Sequence, residues 1–464
     1  MIWKIAFRNL VKNARRSVTT ALAIGVGGLA ALLLGGFVTS IWYGVQTSMI
    51  QDQGNLQIYR NGYLEFGAAN PEAYTIPDWQ AAIDVIRADA ALASEIAVIT
   101  PRIDLSGVAG NAATGNSKTF IGQGVVAADL AKMRQWDGWN IGEAGLPTGL
   151  PEDPVSEEVV VGLGMARMLG VCEALAVPDC KDAPEAGAGR EVDPSAAEYT
   201  GLVAGDADLA GITAGGTGQP QLNLMAATTE GVPNIIAVRI AAAKAQAVRA
   251  LDNAFVLLPF DQARALVFDG SPEATTIMVQ IHDPDRADAV KARIQTLLSA
   301  AGMDLSTYHF TEVDPTFTRI FGMFAFIFAV VSVVLALVIV FTIFNTVSMT
   351  VVERVKEIGT IRAMGFRRGF VGRLFLAESA LTGLFGAGLA LALGVGLSRL
   401  VNSAGVQWTP PSNATPLTVR LMVLENPTFA LSVLLFLVVI AVLAAVMPTF
   451  RAARLNIVQS LQRG

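Results

Sequence analysis

The chain switches between two kinds of hydrophobic pattern. Residues 18–43, 319–347, 374–400 and 429–447 are apolar on nearly every side of a helical wheel, with too few charges to mark a solvent face. Each is about 20 residues or longer, enough for a helix to cross a hydrocarbon core of about 30 Å. They predict four transmembrane helices, one N-terminal and three C-terminal. Residues 44–318 lose that uniformity. Short β-rich runs stand at 56–59, 96–100, 119–121, 159–161, 235–240, 255–258 and 276–281, and helical periods near 79–92, 261–268 and 284–300. Asp283 before Pro284 is a helix-start signal, an N-cap followed by proline at the first helical position. The expected fold class is an α+β membrane protein with a large α+β domain, in two lobes, between the first and second spans. Within that domain, 171–220 is rich in Ala, Gly, Asp and Pro, keeps no period and reads as a flexible insertion.

Two amphipathic stretches border the spans. In 1–17, Trp3, Phe7 and Leu10 share one face while Lys4, Arg8, Lys12 and Arg15 line another, the pattern of a helix lying in a membrane interface. The apolar run that follows is too long for the core of a cleaved signal peptide, about 7–15 residues, and no small-x-small site closes it. In 348–373, Val351, Val355 and Ile358 fall at helical spacing, with Glu353, Arg354, Lys356 and Glu357 opposite. Gly365 is placed to close that helix in the left-handed conformation, with Phe366 packing back on its last turn. Held between two spans, such a helix passes any force applied to it into both, which makes it a candidate lever.

Composition and charge fix the class and the orientation. Over half the residues are apolar and only 16% are charged, too greasy for a soluble enzyme of this size. The segments 1–17, 348–373 and 448–464 carry 14 Lys and Arg against Glu353 and Glu357, whereas the short loop 401–428 holds only Arg420. By the positive-inside rule those three segments face the cytoplasm, both termini included, and 44–318 lies outside. Their net +12 within a chain of net −6 leaves −18 for the rest, so the outer domain is acidic. That balance excludes nucleic acid as a partner and favours contact with anionic lipid on the inner side.

Candidate chemistry is sparse. Cys172 and Cys180 suit neither a CxxC redox pair nor a four-ligand zinc site; outside the membrane they are expected to form a disulfide that closes a small loop. The run 110–117, GNAATGNS, departs from a phosphate-binding loop where Asn116 replaces the lysine, and His282 and His309 are far apart, so no metal site is expected. Glu378 is the one ionisable residue well inside an apolar segment; it either faces the bundle interior or lies at the interface. Small residues recur every fourth position at Ala23, Gly27, Ala31 and Gly35 and again at Gly386, Ala390 and Gly394, stripes that let membrane helices approach closely.

The N-terminal AFRNL with its basic pair, the loop TVVERVKEIGTIRAMGF and the tail PTFRAARLNIVQSLQ together resemble the type VII ABC transporter permeases, relatives of the lipoprotein-releasing, macrolide-exporting and cell-division permeases. In the outer domain, VVVGLGMARMLG and NAFVLLPFDQARAL resemble recurring pieces of that family. The resemblance implies a mechanotransmission permease of the bacterial inner membrane, paired with a second permease, identical or different. Its partner would be a separate cytoplasmic ATPase that holds the ATP and Mg, with no cofactor bound by this chain. By motif the coupling contacts would be Glu353, Arg354, Lys356, Glu357, Arg362 and Gly365. The cargo implied is hydrophobic, a lipoprotein, lipid or amphipathic peptide, taken at the outer face with or without a periplasmic adaptor. Two other functions share parts of this layout: activation of a cell-wall hydrolase, as in the cell-division relatives, and ligand sensing without any ATPase.

Overall fold

The computed structural model describes residues 2–67, 74–141, 145, 147–153, 156–178, 180–182, 219–246, 248–409 and 417–454. Two compact units result: a helical one from Met1–Tyr43, Thr316–Trp408 and Thr418–Gly464, and an α+β one from Gly44–Pro315 with Thr409–Leu417.

The chain begins with α1 (Ile2–Lys12) and α2 (Ala14–Gln53), the second an unbroken helix of 40 residues. The α+β unit follows as β1 (Leu56–Arg60), a π-helical turn at Tyr63–Gly67, α3 (Trp79–Arg87), α4 (Ala90–Ala93), β2 (Ile96–Asn111), β3 (Asn116–Val125), α5 (Ala127–Met133), β4 (Glu158–Gly162) and α6 (Leu163–Leu169). It continues with β5 (Gln221–Ala227), β6 (Pro233–Lys244), α7 (Arg249–Asp252), β7 (Phe255–Pro259), α8 (Phe260–Phe268), β8 (Thr276–Ile281), α9 (Ala287–Ala300), β9 (Leu305–His309) and α10 (Phe310–Val313). The chain then returns to the helical unit through α11 (Pro315–Glu353), α12 (Val355–Ala363), α13 (Arg368–Ala404), a short pair of strands β10 (Gln407–Trp408) and β11 (Leu417–Thr418), and α14 (Pro427–Ala453). Four of these helices, α2, α11, α13 and α14, are long and apolar enough to cross a membrane.

Strand pairing runs β3-β7-β4-β6-β5-β2, and a further β2–β3 pairing closes those six strands into a ring. β2 is long enough to serve twice: its second half belongs to the ring, while Ile96 to Arg102 pair with β8 and extend the sheet through β1 to β9. Each part has its own core. Phe120, Val161, Leu224, Ile240 and Leu258 of the ring pack with α6 and α8, and Leu56, Ile58, Ile277 and Val279 pack under α3 and α9. Burying these side chains contributes about 1.5–3 kcal/mol each. The outermost strand, β9, is closed by a side chain: Gln295 of α9 donates to the Leu305 carbonyl at 3.1 Å and accepts from the Thr307 N–H at 2.9 Å.

Asp283 accepts from the N–H of Asp285 and starts a single 3-10 turn, Pro284–Arg286, from which α9 continues. The run 110–117 is a β-hairpin end between β2 and β3, and the Asn111 side chain donates to the Leu169 carbonyl. The start of the expected flexible insertion is core instead: Val171 and Cys172 are buried against the ring, and Cys172 is disulfide-bonded to Cys180. The reason is that α6 ends at Gly170 and turns the chain back onto its own sheet. Residues 183–218 of that insertion and 455–464 of the tail lie outside the described residues.

Candidate functional site

The charged segment 348–373 is built differently from a single lever helix. The long helix α11 carries on through Glu353, so Val351 belongs to it, and the break comes at Arg354 (φ −97°, ψ 16°). A separate helix, α12, then runs from Val355 to Ala363. Val351 and Ile358 still share one core, with Val371, Phe375 and Ala452, while Val355, the middle residue of the expected apolar face, is only half-buried and lies outside it. Gly365 has φ +94°, a conformation that costs glycine nothing and other residues about 1 kcal/mol or more, and its N–H donates to the Arg362 carbonyl. Phe366 packs forward on Phe370, ring centroids 4.6 Å apart, in the first turn of α13.

The polar side chains of this segment do not form one solvated face. Lys356 and Glu357 are exposed. Arg362 reaches inward to the Ala453 carbonyl at the C-terminal end of α14, where the helix dipole favours a cation. Arg354 also turns inward, with only 13% of its side chain exposed, and binds Glu378 of α13 at 3.1 Å.

Glu378 is itself 8% exposed, ten residues into α13 and so about 15 Å along it. A carboxylate costs about 2.5–3.5 kcal/mol at the bilayer centre, and one buried among helices near the edge of a span likewise calls for partners. Two partners meet it: Arg354, whose Nη1 lies 3.1 and 3.3 Å from the two carboxylate oxygens, and Asn9 of α1, whose Nδ2 donates at 2.6 Å. The Arg354 guanidinium also reaches the Asn9 carbonyl at 3.5 Å. α1 is held there because Ala6 is fully buried against Leu374 and Ala377, with Ile2 and Ile5 beside it, leaving Trp3, Phe7 and Val11 exposed along another face.

Two more ion pairs lie beside it, one joining α1 to α12 and the other α2 to α11. Lys12 lies 3.1 Å from Glu357, and Arg16 grips Glu353 with both terminal nitrogens, one of them at 2.7 Å. Arg16 also reaches the Thr350 hydroxyl at 3.5 Å, and Thr20 bonds Thr346 at 3.3 Å. Bases four residues apart on one strand of the bundle thus meet acids four residues apart on an antiparallel neighbour. Lys4, Arg8 and Arg15 offered the sequence equally good bases, so Lys12, Arg16 and Asn9 could not be singled out without the fold.

The small-residue stripes are shared among several neighbours. Gly386, Ala390 and Gly394 are buried on α13, and a methyl group on Gly386 would stand 2.6 Å from Ile24 Cβ. On α2, Gly25 and Gly28, two positions and one position from Gly27 of the Ala23, Gly27, Ala31 column, also face α13 and α14: a methyl on Gly25 would meet Leu389, and one on Gly28 would meet Leu437 and Ala390. Gly27 instead faces Ile339 of α11, Gly35 lies under the Phe429 ring, and Ala23 and Ala31 are half-buried. Among the described residues no three His, Cys, Asp or Glu side chains gather as metal ligands would.

The family described as FtsX-like permease C-terminal matches residues 329–457. Sixty-two residues, 13% of this chain, are 44% identical to the ABC transporter permease YtrF of Bacillus subtilis and cover 14% of it. Over 208 residues, 44% of the chain, identity is 27% to the macrolide export ATP-binding/permease protein MacB of Chromobacterium violaceum, covering 30% of that protein. The chain thus spans less than a third of the length of these relatives. Among solved structures, the periplasmic region of MacB from Actinobacillus actinomycetemcomitans aligns with 58% of this chain and 94% of its own at 13% identity and a TM-score of 0.32.

Proposed function

Since the chain carries an FtsX-like permease domain and its homologues are ABC transporter permeases, we propose that it is the transmission subunit of such a transporter. In this reading a cytoplasmic ABC ATPase, holding ATP and Mg, docks on the exposed side of α12 around Lys356 and Glu357. Closure of the ATPase displaces α12, and the displacement is carried along α2 and α11 to the α+β domain, which works outside the inner membrane on a hydrophobic cargo such as a lipoprotein, lipid or peptide. The observation that carries this reading is the fastening of α12. It is a short, surface-exposed helix tied by Lys12–Glu357 to α1, by Arg354 at its start to α13 and by Arg362 to α14, while Glu353, at the end of α11 just before it, pairs with Arg16 of α2, so a shift of α12 loads the spans. A second permease is expected beside α11, because it is the most apolar of the four spans and the least covered by the rest of this chain.

The test is co-purification from membranes followed by ATP turnover. The parent chain is expected to retain an ABC ATPase and to stimulate it. Glu357→Lys, which reverses one charge on the docking helix and breaks its pair with Lys12, should keep expression normal but uncouple turnover from cargo release. Release at the parental rate in that variant would refute the assignment.

A further inference from the structure

We infer that α1 is a working arm of the coupling unit, and that Asn9 and Glu378 are positioning residues that fasten it to α12 through Arg354. An amphipathic leader needs only lipid to hold it, yet α1 is joined to the lever at two levels. At the rim, Lys12 meets Glu357. Deeper, the Asn9 amide and the Arg354 guanidinium converge on one buried carboxylate, and Arg354 is the residue at which α11 gives way to α12. A displacement of α12 must therefore either break a charge-assisted bond in a low-dielectric setting or carry α1, and with it the start of α2.

The surroundings suit a joint that moves. Asn13, Ser17, Thr350, Ser379 and Thr382 help line a cavity of about 60 Å³ beside Glu378, room for about two waters. The seam between α2 and α11 continues through Thr20 and Thr346. Polar groups and water can exchange partners along such a seam without leaving a dry donor in hydrocarbon.

The inference rests on the reading that α12 receives the force, but its test uses no ATPase, so the two can fail separately. Backbone hydrogen exchange would be followed on the full chain in lipid nanodiscs. Glu378→Gln should speed exchange in both α1 and α12 by about ten-fold, the loss expected for one charge-assisted bond, with α14 unchanged. Adding Asn9→Asp to that variant moves the carboxylate to the other side of Arg354 and should restore protection in both helices. Asn9→Leu, which leaves the Arg354–Glu378 pair intact, should release α1 alone. Unchanged exchange in α1 in both single variants, equal acceleration in all four spans, or no recovery in the double variant would each overturn the proposal.

Discussion

Gly386 and Gly388 are two residues apart on α13 and offer a controlled measurement of how tightly the spans are packed. A methyl group at 386 would lie 2.6 Å from Ile24 Cβ, 2.7 Å from its Cγ2 and 3.0 Å from the Ala21 carbonyl oxygen. At 388 it would meet nothing within 4 Å. Carbon atoms pack at about 3.5–4.0 Å, so Gly386→Ala demands a separation of about 1 Å. Neither Ile24 Cβ nor a backbone carbonyl can swing away, so the whole of α2 must retreat. Overpacking of this kind costs about 1–3 kcal/mol. Both substitutions gain the same helix propensity, about 0.5–1 kcal/mol, and that gain cancels when the two variants are compared. Gly386→Ala should therefore be about 5- to 150-fold worse than Gly388→Ala in the unfolding equilibrium. Reversible unfolding of the full chain in mixed detergent micelles measures this directly. Equal stability of the two variants would refute the close α2–α13 contact.

Two predictions concern the α+β unit. Asp89 caps α4 and binds Arg293 at 2.6 Å; that hydrogen bond, with help from the Leu92 N–H, holds its carboxyl below the usual range. A lowered folded pKa means stability that is present above the unfolded value, about 3.9, and lost as pH falls through the folded one. Melting temperatures of the parent should accordingly fall more steeply between pH 5 and pH 3 than those of Asp89→Asn, which keeps the cap but not the charge. Arg102 is buried and bonded to Asp104 at 2.9 Å and to the Tyr59 hydroxyl at 3.4 Å; burial opposes its charge, yet Asp104 and the tyrosines hold its pKa above normal. Arg102→Met leaves the half-buried Asp104 without its cation; with water reaching part of that carboxylate the change should cost about 1–3 kcal/mol, read as a lower unfolding midpoint by calorimetry, and an unchanged midpoint would contradict the pairing.

The spans could be read from the sequence because a lipid-crossing helix must be apolar all round for about 20 residues, a signal with few competitors. Inside the α+β unit the strands with continuous Val and Ile, such as Val159–Val161 and Thr276–Ile281, were equally plain, whereas β5 and β9 were not. β5 alternates buried Leu222 and Leu224 with exposed Asn223 and Met225, and its small Ala226 and Ala227 give little strand signal. β9 carries Ser, Thr and His within five residues, with Ser306, Tyr308 and His309 only partly buried, so it offers no apolar run to read. In the charged segment 348–373, Glu353, Arg354 and Glu357 stood out as charges between greasy runs. Their partners did not, because Asn9, Lys12 and Arg16 lie more than 300 residues away and only the bundle geometry brings them together.

That single glutamine on α9 also bears on how the domain survives in company. A sheet ending in naked amide groups invites strangers to continue it. By supplying one donor and one acceptor to Leu305 and Thr307, Gln295 takes up two of the backbone groups that an added strand would need, which blunts this edge against self-templated stacking.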